Sequence, residues 1–354
     1  MKTLIIGGGL SGLYLTERLE AQGQDYHLVE ARDRFGGRIM TQTVDDATFD
    51  MGPAWFWPGQ PRIAALIARL GLQKFDQYAN GALTYEDARG EVQRGQGFAS
   101  MEGSWRLEGG LSRLTAALAA RVPEARRSLN AQVTALEMVD GKCRATLHDG
   151  SVIAADRVVL AMPPRIAAGL AFAPALPAPA MRAMTDVPTW MAGQAKAVAV
   201  YDTPFWRAAG LSGDAMSRRG PMVEIHDASP NEGGPYALFG FIGVPPAARA
   251  DTARLKQAVQ DQLVRLFGPD AARPRALFVK DWARDARTAT AADAAPQYSH
   301  PTYGLPHAMR GLWDGHLLFA GTEVAPNFGG YIEGALEAAE IALAQLEAME
   351  PANL

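Results

Sequence analysis

The apolar positions of this chain fall first into short continuous runs. Residues 3–6 read Thr-Leu-Ile-Ile, 158–161 read Val-Val-Leu-Ala, and 316–320 read His-Leu-Leu-Phe-Ala. Runs of this length, bounded by Gly or Pro, predict buried strands of a parallel sheet. Residues 26–30 predict another. Between the first and this last strand, 13–21 carry a helical pattern that stops at Gly23. Strand, turn, helix, strand is one βαβ unit with a parallel pair. Residues 132–138, 143–147 and 152–154 predict a meander, with Asp149-Gly150 as a tight turn. Residues 195–201 alternate as a strand, and 236–244 form another. Helices are expected over 61–72, 109–121, 254–267 and 331–348. The stretch 163–188 is rich in Pro and Ala and predicts a connection between lobes, without regular elements. No repeat of fixed period occurs. The pattern predicts an α/β fold (α+β overall) in which the first and last segments share one sheet.

Length and composition narrow this picture. At 354 residues the chain has room for two domains, or for one large α/β domain with an inserted lobe. Hydrophobic residues at 48% and charged residues at 20% exclude long disorder. Lys and Arg number 34 against 38 Asp and Glu, a net charge of −4, which argues against nucleic acid as the main partner. Cys143 is the one cysteine, so no intrachain disulfide and no cysteine-based metal site can form. A reducing, cytoplasmic setting is the expectation. The sequence runs from Met1 straight into a strand, leaving no room for a signal peptide, and no run of 18 apolar residues predicts a membrane span. His27, His148, His226, His300, His307 and His316 are scattered, predicting structural or surface roles and no metal centre.

The first chemical motif is Gly7-x-Gly9-x-x-Gly12, after a strand and at the opening of a helix. The first glycine permits a tight turn, the second lets the backbone approach a pyrophosphate, and the third packs helix on strand. The helix start at Leu10 and Ser11 offers unpaired N–H groups to phosphate. Glu30 ends the second strand 18 residues after Gly12, near the ~20-residue spacing of an acid that binds ribose hydroxyls. Together these predict a dinucleotide site.

A second glycine pair follows in Glu30-Ala31-Arg32-Asp33-Arg34-Phe35-Gly36-Gly37-Arg38. A bare NAD fold has no need of it. It would let backbone approach a ligand closely, with Arg38 pairing phosphate. Here the chain resembles the FAD-dependent amine oxidase family, the flavoproteins that include monoamine oxidases, polyamine oxidases and L-amino acid oxidases. The resemblance covers nearly the whole chain. Asp50-Met51-Gly52-Pro53-Ala54-Trp55 is similar to the family's segment beside the flavin, and Glu108-Gly109-Gly110-Leu111 to its turn before a helix. Val133 falls where the family's backbone meets adenine, and Ala161-Met162-Pro163 resembles its crossover. The most specific match is Phe319-Ala320-Gly321-Thr322-Glu323 with Gly330-Tyr331-Ile332-Glu333-Gly334-Ala335.

The resemblance implies roles. FAD would contact Gly7, Gly9, Leu10, Ser11, Gly12, Glu30, Ala31, Arg32, Gly37, Arg38, Gly52, Pro53, Ala54, Val133, Ala161, Gly321, Thr322, Glu323, Gly330, Tyr331 and Ile332. The start of the last helix would stabilise negative charge on the reduced flavin ring. From its own pattern, Lys196 shares a strand face with Val198 and Val200, and an edge-strand lysine facing solvent stays open. The resemblance instead makes it a catalytic lysine that holds water at flavin N5. Tyr331 would be one wall of an aromatic cage, and Trp282 resembles a tryptophan near the flavin. Residues 281–293 contain neither the second Tyr nor the Cys that links FAD in monoamine oxidases, so non-covalent FAD is expected. Trp282, Trp55, Phe56, Trp57 and Trp190 are candidates for the other wall.

The function these features imply is oxidation of an amine C–N bond to an imine, by hydride transfer to flavin N5, with oxygen or another acceptor reoxidising the flavin. Where L-amino acid oxidases carry a carboxylate-binding Arg, this chain has Trp55-Phe56-Trp57, with Arg62 further on. That favours a small-molecule amine without a carboxylate over an L-amino acid. Alternatives are a desaturase or dehydrogenase of a carotenoid, porphyrinogen or secondary metabolite, and a flavin-binding partner subunit without turnover. The expected division is a cofactor lobe of 1–60, 104–162 and 311–354, and a substrate lobe of 61–103 and 163–310.

Overall fold

The computed structural model describes residues 1–95, 97, 99–295, 297 and 299–349. Positions 96, 98, 296, 298 and 350–354 fall within the expected lobes but lie outside the described residues. Five strands form a wholly parallel sheet in the order Leu317–Phe319, Arg157–Leu160, Lys2–Ile6, Asp25–Val29 and Arg127–Ser128. The first and last segments share this sheet, with Arg157–Leu160 between them. Ile5, Val159 and Leu318 face the helices Leu10–Ala21 and Ile332–Ala348, which contribute Leu13, Leu19, Leu336, Ala339 and Leu343 to one cluster. Leu4, Ile6, Val158, Leu160, Leu317 and Phe319 face a second cluster with Val133, Leu136 and Ala145. Both faces are covered, so these strands read as unbroken apolar runs.

Several expectations shift. The first helix starts at Leu10 and not at 13, because Gly12 belongs to its first turn. The helix expected over 109–121 is Ser112–Ala119, since Gly109 and Gly110 hold φ of +73° and +77°. The stretch 163–188 is not irregular. It contains helix Pro164–Ala167, strand Ala171–Ala173 and helix Ala178–Asp186. Pro163, Pro164, Pro177 and Pro179 sit at the N-caps and first turns, where a missing N–H costs little. Strand Ala171–Ala173 pairs with Val133–Val139, and Ala167, Ala180 and Met184 join the second cluster. This stretch therefore packs on the parallel-sheet side, although the sequence reading placed it in the substrate lobe.

A seven-stranded sheet carries the other half of the molecule. Its order is Ala276–Asp281, Ala195–Tyr201, Tyr236–Ile242, Met222–Asp227, Leu211–Ser217, Ala82–Glu86, Val92–Gly95. The sequence reading found two of these strands. Of the others, Ala82–Glu86, Leu211–Ser217 and Met222–Asp227 bury polar groups, including Glu86, Asp214, Ser217, His226 and Asp227, which breaks the apolar alternation. Ala195, Ala197 and Ala199 pack on helix Thr252–Phe267 through Leu255, Val259 and Leu263. Val198 and Val200 face Phe49 and Trp55. The period-two pattern thus separates a helix-packed face from the face that carries Lys196.

Helix Pro61–Arg69 is tied to the last helix by Glu333. Its own N-cap, Gln60, makes no side-chain cap bond. Fully buried Glu333 accepts from the Arg62 N–H at 3.0 Å and the Ile63 N–H at 2.9 Å. A carboxylate from a neighbouring helix thereby satisfies the orphan donors. Replacing Glu333 with Ala should cost about 2–3 kcal/mol in urea unfolding. Glu333→Gln, which keeps an acceptor, should cost less.

Candidate active site

A cavity of about 970 Å³ lies between the carboxyl ends of the parallel strands and the Lys196 face of the seven-stranded sheet. Its floor is backbone. Gly7 turns at φ +114°, and a Cβ there would lie 2.5 Å from the Ala161 carbonyl oxygen. A Cβ on Gly12 would lie 1.9 Å from the Gly7 oxygen. Gly9 bridges to Gly36, and a Cβ on Gly37 would meet the Gly9 Cα at 3.1 Å. Two glycine turns therefore meet without side chains, leaving bare backbone on the cavity wall. Helix Leu10–Ala21 opens here with no side-chain cap, because its N-cap is Gly9, and the Ser11 hydroxyl of its first turn donates away to the Ala320 oxygen at 2.5 Å. Its first N–H groups face an anion position.

The charged walls are arranged by partners. Glu30 is buried and accepts from the Gly8 N–H at 2.7 Å and the Arg32 N–H at 2.8 Å. Arg38 pairs with Glu323 at 2.5 Å, and this carboxylate holds its guanidinium above the ordinary range against the cost of burial. Arg32 donates to Asp285 at 2.7 Å and to the Thr288 hydroxyl at 3.1 Å, which pulls residues 286–290 over the Glu30 end. The lining carries five cations, Arg32, Arg38, Arg165, Lys196 and Arg287, against the carboxylates Glu30 and Glu224. That balance suits a pyrophosphate diester.

Lys196 is buried on an interior strand, between Tyr236–Ile242 and Ala276–Asp281, and so does not face solvent from an edge. Its Nζ donates to the Gly52 carbonyl at 2.5 Å and stands 5.3 Å from the Phe241 ring. Burial pulls its pKa down to about 8, with Asp50 opposing. Burial pushes the Asp50 carboxyl up to about 7, against Arg106, the Leu111 N–H and Lys196. Asp50 accepts from the Leu111 N–H at 3.1 Å, which joins the segment 50–55 to the turn at Gly109-Gly110. The Trp282 indole donates to the Met51 carbonyl at 2.9 Å and so fixes the same segment from the other sheet.

Of the residues expected to touch the cofactor or substrate, Gly12 and Glu323 stand behind the cavity wall; Gly7, Gly9, Gly37, Gly52, Gly321, Gly330, Leu10, Ser11, Glu30, Ala31, Arg32, Arg38, Pro53, Ala54, Val133, Ala161, Thr322, Ile332, Lys196, Trp282 and Tyr331 line it. Among the cage candidates, Trp55, Trp57, Trp190 and Trp282 line it, while Phe56 is wholly buried in the core beside Leu111. Tyr331 stacks on His300, rings 4.8 Å apart at 9°, and His300 also meets Trp190 at 4.9 Å. The histidine read as structural or surface is thus the ring partner of Tyr331. Arg62 is drawn to Glu333 and Glu340, off the cavity. Residues missed by sequence reasoning include Gln194, Glu224, Phe241 and 286–290. Only Phe241, on a predicted strand, left a periodic signal.

The family model described as flavin containing amine oxidoreductase matches residues 10–97 and 94–345. The chain belongs to that family. A probable flavin-containing monoamine oxidase A of Dictyostelium discoideum is 24% identical, over 94% of this chain and 94% of that protein. A putrescine oxidase of Kocuria rosea is 22% identical, over 97% and 94%. Solved structures share the fold. A putrescine oxidase bound to putrescine superposes with a TM-score of 0.82 at 20% identity, covering 98% of this chain and 99% of that one. The cyclohexylamine oxidase from Brevibacterium oxydans IH-35A gives 0.82 at 20%, covering 99% of each. Membership of this family makes the chain an FAD-dependent amine oxidase. The bare glycine floor, the open helix start, Arg38 and the buried Glu30 carboxylate have the chemistry that the phosphates and a ribose of such a cofactor would need.

Two outcomes follow from this geometry. Gly12→Ala forces a Cβ into the Gly7 oxygen, so the purified protein should lose FAD affinity by at least about 100-fold in an equilibrium titration. Asp50→Asn keeps an acceptor for Leu111 and removes a charge. The native state favours protonated Asp50, so this group's stabilising contribution is full below pH 3.8 and lost as pH rises through about 7. The Asn variant should therefore gain on the parent between pH 4 and 8, by about 2–4 kcal/mol at the upper end, seen as a rising difference in thermal midpoint.

Proposed function

We propose that this flavoenzyme oxidises a small amine lacking a carboxylate, with Lys196 as the group that holds water at the reacting end of the cavity. The observation that carries this is a buried lysine on an interior strand, satisfied by one carbonyl and aimed into the cavity. An ammonium has three donors, so donation to Gly52 leaves two for water. With its pKa drawn to about 8, Lys196 can hold or release a proton near neutral pH. When bound, FAD would supply two-electron oxidation of the amine-bearing carbon, with oxygen or another acceptor as the final oxidant. Water hydrolyses the released imine to a carbonyl and ammonia or a smaller amine. Trp55, Trp57, Phe241 and Tyr331 line the cavity and would exclude water and orient the neutral amine.

The charges support an amine over an L-amino acid. Arg32, Arg38 and Arg165 are each paired with a carboxylate already, Asp285, Glu323 and Asp293. Arg287 lies in the segment that Arg32 draws over the Glu30 end. On the Lys196 face of the sheet the lining carboxylate is Glu224, which would repel a substrate carboxylate. The cofactor is held without a covalent bond in this reading. Cys143 is buried in the strand Lys142–Leu147, within the second cluster and off the cavity.

The test is the visible spectrum of the anaerobic holoenzyme with amines and L-amino acids. Bleaching by amines alone is expected, with recovery in air if oxygen is the acceptor. Bleaching by L-amino acids alone would sink the substrate assignment, and no bleaching would sink the reaction. Acid precipitation should release all the flavin to the supernatant. Lys196→Met should keep its yellow colour and lose about 100-fold or more in turnover.

A further inference from the structure

We propose that Glu224 anchors a second, non-reacting ammonium, making diamines the preferred substrates, and that His226 and Ser100 position its carboxylate. The inference rests on the amine oxidation proposed above. Lys196 stands opposite Phe241, and Phe241 stands opposite Glu224, on three adjacent antiparallel strands. Directly opposed residues share a sheet face. Lys196, Phe241 and Glu224 thus form one row, and all three line the cavity. Two strand spacings set the ends of the row roughly 10 Å apart. The middle is apolar: the Trp55 ring lies 6.1 Å from Phe241 and 5.1 Å from Phe239. A chain of methylene groups fits such a middle, and a cation fits its far end.

The carboxylate is held from behind. Its Oε1 accepts from the Ser100 hydroxyl at 2.5 Å and from His226 Nε2 at 2.9 Å. Buried His226 meets Asp214 at 2.5 Å through Nδ1. The carboxylates at its two nitrogens raise the His226 pKa against the cost of burial, favouring the imidazolium that can donate to both. Among the described residues, no side chain donates to Glu224 Oε2, and the side chain keeps 24% of its surface exposed. His226 and Ser100 keep the Glu224 carboxyl below its ordinary range, hence ionised. One oxygen is held by two donors, the other takes no side-chain donor among the described residues, and the residue lines the cavity, an arrangement suited to an incoming ammonium.

The experiment compares butane-, pentane- and hexanediamine with butyl-, pentyl- and hexylamine on the holoenzyme, by steady-state turnover and anaerobic flavin reduction. The parent should show kcat/KM for its best diamine at least about tenfold above the monoamine of equal length. Glu224→Gln should lower that ratio about 100-fold, chiefly through KM. Glu224→Asp keeps the charge but withdraws it, and should move the optimum to a longer diamine. His226→Gln and Ser100→Ala should lower the ratio by less. A role confined to folding would slow both substrate classes alike and leave the ratio where it was. An unchanged ratio in Glu224→Gln, or equal handling of both classes by the parent, would overturn the anchor while leaving amine oxidation standing. If no amine reduces the flavin, the underlying reaction fails with it.

Discussion

An ammonium taken out of water must find an acceptor, and in this molecule the acceptor of Lys196 is supplied by the opposite half. The Gly52 carbonyl can reach it because residue 52 lies against the chain at Arg38, where a Cβ would sit 2.0 Å from a carbonyl oxygen. Only glycine permits that approach. The contact fixes the height of the seven-stranded sheet above the glycine floor. The cavity, its two ends and the row from Lys196 to Glu224 all depend on that separation. Trp282 repeats the device one residue earlier, donating to the Met51 carbonyl. Two donors from the substrate sheet thus grip one short segment of the cofactor half.

Buried carboxylates perform a parallel task within each half. Glu323 aims Arg38, Glu333 closes the open end of helix Pro61–Arg69, Asp50 holds the turn before helix Ser112–Ala119, and Asp293 ties Arg165 to the Thr189 N–H. Each accepts from backbone donors or a guanidinium, so burial does not leave a bare charge. Asp50 is the exception in degree. Its surroundings satisfy it incompletely, and the proton is retained to about pH 7. A family motif that reads as conserved-looking letters is here a set of acceptors at stated positions.

Four of the five parallel strands and the glycine turns were legible because their physics is local; Arg127–Ser128, two polar residues at the sheet edge, was not. A strand apolar on both faces, a tight turn and a helix start follow one another within 30 residues. Alternation grouped Lys196 with Val198 and Val200 but left open whether that face met solvent; pairing with Tyr236–Ile242 and Ala276–Asp281 decides it. Strands such as Leu211–Ser217 and Met222–Asp227 were not legible, because Asp214, His226 and Asp227 are buried by long-range partners that no local pattern announces. The Pro-rich stretch misled because proline was read as a breaker and not as a first-turn residue. His300 and Glu224 became visible only when tertiary structure set them beside Tyr331 and Phe241.

The bridge from Arg32 to Asp285 and Thr288 joins chain positions more than 250 apart across the mouth of the Glu30 end. The strap it closes, residues 286–290, grows from the substrate sheet, whereas the floor beneath it belongs to the first 40 residues. A dinucleotide lying along this trough is roofed by polypeptide synthesised long after its binding surface. Its exit on that side would then be blocked by the Arg32 contacts as well as by its own.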